Sequence, residues 1–153
     1  MRGSAGFALS RRRALAAGAA AVVLPPLLGA CTAATDQPGA VDDALLAMSD
    51  AARMDAAMVV AAVTADPGLA ERLEPLRAAR IEHARALDSA GGRAPEEVVP
   101  PATPPAADVV AIRDAVAASA RTATEVAGNA PALQIGLVAE IAACCATYAT
   151  VLA

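Results

Sequence analysis

Forty-six of the 153 positions are alanine, and that one feature decides most of what this chain can fold into. Alanine is the best helix former and offers a sheet almost no side chain to pack. The residues that strands favour are sparse: the chain has one tyrosine, one phenylalanine and no tryptophan. Hydrophobic residues make up 57% and charged residues only 18%, which separates the chain from the disordered class. All twelve cations are arginine, and sixteen acids bring the formal net charge to −4. With neither a basic surface nor stacking rings, nucleic-acid binding is excluded. A length of 153 residues suits one domain and is short for two. The expected class is all-α.

The first thirty residues read as an export signal. Arg2, Arg11, Arg12 and Arg13 form a cationic start, Ala14 to Leu28 carry no charge, and Leu28-Gly29-Ala30-Cys31 follows directly. A positive segment, a short apolar segment and small residues before a cut site describe a secretory signal. Leu-Gly-Ala-Cys resembles the bacterial lipobox, whose cysteine receives a diacylglyceryl thioether and becomes the first residue after cleavage. The alternative is a retained transmembrane anchor, for which this segment, interrupted by Pro25 and Pro26, is short against a hydrocarbon core of about 30 Å. Ser10-Arg11-Arg12-Arg13-Ala14-Leu15 is similar to the twin-arginine export motif, centred on Arg11 and Arg12. Removal of residues 1–30 takes away four arginines and no acid, so the net charge moves from −4 to −8. Such a body is repelled by an anionic membrane and stands clear of it on residues 31–40, a tether of linker composition.

The remainder, residues 41–153, reads as four helices. Residues 41–65 place Val41, Leu45, Met48, Ala52, Asp55, Val59 and Ala62 on one face, with Asp42, Ser49, Asp50 and Arg53 opposite. Residues 67–89 follow Asp66-Pro67, a cap and first-turn pair, and carry Leu69, Leu73, Leu76, Arg80, His83 and Leu87 on a stripe. Pro75 implies a kink or a restart. Residues 91–107 hold five prolines and two glycines and form a semi-extended linker. Residues 108–128 follow a cap at Asp108 and turn Ile112, Val116, Ser119, Ala123 and Val126 inward. Residues 131–152 put Leu133, Leu137, Ile141, Cys144, Tyr148 and Val151 on one stripe. Short connections make each pair an antiparallel hairpin. At about 3.1 Å per residue the linker reaches roughly 50 Å, enough to cross the length of the bundle between hairpins.

Two charged residues and the one histidine fall on apolar stripes: Asp55, Arg80 and His83. An isolated ion there is costly, so they are expected to meet as a structural ion-pair cluster; a ligand or proton-transfer site is the alternative. Cys144 and Cys145 are neighbours, and on a helix they point about 100° apart, so they read as packing residues rather than a disulfide.

The two-hairpin layout, with Leu73-Glu74-Pro75-Leu76-Arg77-Ala78-Ala79-Arg80-Ile81-Glu82-His83 and Ile141-Ala142-Ala143-Cys144-Cys145-Ala146-Thr147-Tyr148, resembles the alanine-rich ferritin-like lipoprotein domains of unknown function from actinobacteria. The resemblance implies a ferritin-like four-helix bundle. Metal-binding relatives of that fold carry Glu-x-x-His steps on two helices and a Glu on each of the others. Here the corresponding step in the fourth helix falls at Cys145 and Tyr148, and Arg80 stands three residues before His83. One histidine cannot furnish a di-iron site, so no metal, cofactor or catalytic residue is expected. Gly-x-Ser-x-Gly, Cys-x-x-Cys and phosphate-loop patterns are absent too. The expected function is a membrane-anchored lipoprotein, lipidated at Cys31, with a non-catalytic binding or scaffold role at the cell envelope, a role open to a protein partner that the sequence does not identify. The alternatives are a metal- or redox-dependent enzyme completed by oligomerisation, and a carrier of a small apolar ligand.

Overall fold

The computed structural model describes residues 39–102, 104 and 107–153. The export signal with Arg11, Arg12 and Cys31, and the tether up to residue 38, lie outside the described residues. Among the described residues the chain is all-helical, with α1 at Ala40–Ala65, α2 at Ala70–Ala90, α3 at Val109–Ala127 and α4 at Ala132–Val151.

Local chemistry sets the boundaries. Asp66 Oδ1 accepts the Gly68 N–H at 2.9 Å, and Pro67–Leu69 form a 3-10 turn that leads into α2. Asp108 Oδ1 accepts the Ala111 N–H at 2.7 Å and so caps α3. Gly91 donates to the Leu87 carbonyl at 2.8 Å to end α2, and Gly92 turns the chain with a left-handed φ of 77°. Gly91 also lies against α1: a Cβ there falls 2.8 Å from Leu46 Cδ2. Inside the linker, Pro95–Glu97 form a 3-10 turn in which the Glu97 carboxylate accepts the Ala94 N–H at 3.0 Å.

Helix α1 packs on α2 and on α3, α3 packs on α4, and α2 meets α4, while α1–α4 and α2–α3 stay out of backbone contact. The fully buried core draws on every helix: Leu45 and Val59, Leu73, Leu76 and Leu87, Ile112 and Val116, then Val138, Ile141 and Cys145. Each such branched side chain contributes about 1.5–3 kcal/mol on burial.

Four expectations are corrected. First, α2 does not restart at Pro75 but continues through it from Ala70 to Ala90. Pro75 and Glu71 are both exposed, so the donor that proline lacks is lost on the outer side of α2. Second, Ser49 is fully buried rather than on the outer side, and Arg53 is largely covered. Third, α4 is rotated from its expected stripe. Leu133 is 98% exposed and Val151 is exposed, whereas Val138, Ile141, Cys145 and Leu152 face the core. Glu140 is the only charged side chain in α4, so the sequence there has no polar face to orient it. Cys144 is accordingly only half-buried. Fourth, His83 lies at the edge of the interior rather than within it.

Candidate functional site

The middle of the helical body is organised around one arginine. Arg80, on α2, is 2% exposed, and its guanidinium engages partners from the other helices and its own. Its Nε donates to Asp55 Oδ2 of α1 at 3.0 Å, and its Nη2 lies 2.8 Å from the same oxygen. Nη2 also donates to Ser119 Oγ of α3 at 3.0 Å, and Ser119 in turn donates to Asp55 Oδ2 at 3.0 Å. Nη1 donates to Cys145 Sγ of α4 and to His83 Nδ1, each at 3.2 Å. Asp55, Arg80 and His83, singled out from the sequence, are thus brought together, and Ser119 and Cys145 complete the cluster.

The protonation states follow from this geometry. A guanidinium only donates, so His83 Nδ1 accepts, and the neutral ring carries its proton on Nε2. Burial and then the Arg80 charge hold the His83 pKa below its ordinary value, against the pull of Glu140. Burial raises the Asp55 carboxyl above its ordinary range despite the opposing Arg80 charge and Ser119 hydrogen bond. Burial pushes the Cys145 thiol up to about 11 even with Arg80 beside it. Burial of this kind makes a thiol a poor nucleophile. Cysteine, histidine and carboxylate here serve as acceptors for one internal cation.

A second polar network ties α1, α2 and the linker together. The buried Ser49 hydroxyl donates to Asp88 Oδ1 at 2.7 Å, with the Ala84 carbonyl at 2.9 Å as its other acceptor. Ser49 Oγ accepts from Arg53 Nη1 at 2.7 Å, and Arg53 Nη2 pairs with Asp88 Oδ2. Arg93 of the linker reaches back to Asp88 Oδ1 at 3.1 Å and to Asp50 Oδ2 at 3.0 Å. Sequence reading missed this network because its members flank the apolar stripes. The signal available was the spacing of Ser49 and Arg53, one helical turn apart.

Asp88 gives a pH prediction. Burial alone raises its pKa, but hydrogen bonds from Arg53 and Ser49 and the charges of Arg53 and Arg93 outweigh it and leave the pKa below the ordinary 3.8. A depressed carboxyl pKa contributes stability above the unfolded-state value and loses it as pH falls. Asp88 therefore contributes stability that is lost as pH falls from about 5 through the carboxylate range. Asp88→Asn has a flatter profile in urea titrations across that window. An unchanged pH slope in the variant removes Asp88 as the source.

Beside the first cluster, a groove of about 450 Å³ opens between α1 and α3. Met48, Met54 and Met58 line it, all of the chain's methionines except Met1. Ala47, Ala51, Ala115 and Ala118 leave it open, because none carries a side chain beyond Cβ. Asp55, Arg80 and Ser119 lie on its wall. Among the described residues no group of three or more histidine, cysteine, aspartate or glutamate side chains is placed to hold a metal ion. No family model, curated protein or solved structure matches the chain.

Proposed function

We propose that this chain is an exported lipoprotein, acylated at Cys31, whose body is an antiparallel, ferritin-like four-helix bundle that binds rather than catalyses at the outer face of the cytoplasmic membrane. The observation that carries the reading is Arg80. In metal-containing bundles of this kind, carboxylates and imidazoles from four helices converge on a cation in the core. Here Asp55, His83, Ser119 and Cys145 converge from four helices on one guanidinium. The protein's own arginine supplies the positive charge that the acidic group at the centre needs.

Residue pairings support the antiparallel order. On α1 and α2, Ser49 meets Asp88 and Asp55 meets Arg80, so position rises on one helix as it falls on the other. On α2 and α4, Ala90 meets Gln134, Arg80 meets Cys145 and Arg72 meets Val151. The linker supports a lengthwise crossover: Arg93, Glu97, Val99 and Pro101 follow α1 past Asp50 and Met54. The signal at Arg11 and Arg12 and the lipobox ending at Cys31 support export and anchoring.

The test is made on protein isolated from membranes. The expected result is an amino-terminal Cys31 carrying diacylglycerol by mass spectrometry, with Cys31→Ser released from the membrane fraction. Metal analysis returns substoichiometric iron and manganese. One equivalent of either metal, retained through gel filtration, replaces the binding role with a catalytic one.

A further inference from the structure

We infer that the groove between α1 and α3 is a binding site for a small apolar molecule bearing one hydrogen-bond donor, with Asp55 Oδ1 as the acceptor. The inference rests on the binding role proposed above and names the ligand class. Two observations carry it. The first is the state of Asp55. All of its hydrogen bonds, from Arg80 and Ser119, fall on Oδ2. Among the described residues Oδ1 accepts none, it is not among the sealed, unpaired polar atoms, and Asp55 lines the groove. The residue is only 4% exposed, so this is an acceptor set in a largely closed wall rather than a surface carboxylate. The unpaired oxygen on the wall is a carboxylate acceptor, which makes the site select for donors and against anions.

The second observation is the rest of the lining. Met48, Met54 and Met58 present flexible, polarizable thioethers, which adapt to apolar guests of irregular shape. About 450 Å³ lies in the range of small-molecule sites, where an apolar wall supplies affinity and a few polar groups fix orientation. Thioethers also bind soft ions such as Cu(I). The volume is far larger than an ion requires, so an organic guest is the better fit.

The experiment uses the full chain in lipid nanodiscs, with ¹³C-methyl methionine. The probes are 1-naphthol, which has one donor, and 1-methoxynaphthalene, which has the same ring system and none. The methyl signals of Met48, Met54 and Met58 shift saturably with 1-naphthol, at least tenfold more tightly than with 1-methoxynaphthalene. Ala51→Leu and Ala118→Leu are exposed in the native fold, melt as the wild type does, and abolish the shifts by filling the groove. Unmoved methyl signals, shifts that survive both substitutions, or equal affinity for the two probes each overturn the inference. So does a saturable response to Cu(I) that 1-naphthol does not displace. Cys31 is read separately by mass spectrometry. A lipidated Cys31 with unmoved methyl groups removes the groove and keeps the anchored bundle, and the reverse pattern removes the anchor alone.

Discussion

Asp55→Ala lowers the stability of the helical body by about 3–5 kcal/mol, because it leaves the Arg80 guanidinium buried without its counter-charge. Arg80 is 2% exposed, so it cannot recover its hydration without local opening. The loss corresponds to a fall in Tm of roughly 10 °C or more for a body of this size. The double variant Asp55→Leu with Arg80→Met distinguishes this cause from a packing defect. Replacing both ions by apolar groups removes the stranded charge, and most of the lost stability returns. Thermal melts of the single and double variants are the check, and a double variant as unstable as the single one means that the charge is not the reason. The acid side carries a second signature. Because burial holds the Asp55 pKa above its ordinary 3.8, its native form keeps its proton to higher pH than the unfolded chain does. That carboxyl therefore disfavours folding as pH rises through the window, opposite in sign to Asp88.

Ile141→Ala costs about 3 kcal/mol, within the usual range for a buried branched side chain truncated to alanine. Leu133→Ala changes stability by no more than about 0.5 kcal/mol. Ile141 is 1% exposed and Leu133 is 98% exposed, although both lie on the stripe that periodicity alone selects. Urea denaturation of the two variants reads the difference directly. Equal losses place α4 back on the stripe through Leu133, Leu137 and Val151, and with it return Cys144 to the interior in place of Cys145.

The two predictions separate what patterning makes legible from what it does not. Asp55 and Arg80 were legible because each is a charged residue at an apolar-phase position on an otherwise readable helix. Two such residues on neighbouring helices have one economical solution, which is to meet. Ser49, Arg53 and Asp88 obey no such rule. A polar residue at the margin of a stripe reads as solvated, and only the approach of α1 to α2 encloses it. In α4 the difficulty is the opposite. With Glu140 as the single charge, nearly every rotation buries apolar atoms, and hydrophobicity has no preferred direction. Leu152, Cys145, Ile141 and Val138 were chosen by the shape of the space beside α2 and α3.

By itself, the sequence determined the helical class, through its alanine content, and the helix boundaries, through Asp66-Pro67, Gly91-Gly92 and Asp108. These are local effects: propensity, capping and backbone freedom act within a few residues, and a sequence states them directly. The tertiary structure alone decided the face that α4 buries, the enclosure of Ser49 and Asp88, and the groove beside Asp55. Each of these depends on side chains far apart in the chain. The alanines of α3 leave open the space that the methionines of α1 line, and neither segment encodes that space without the other.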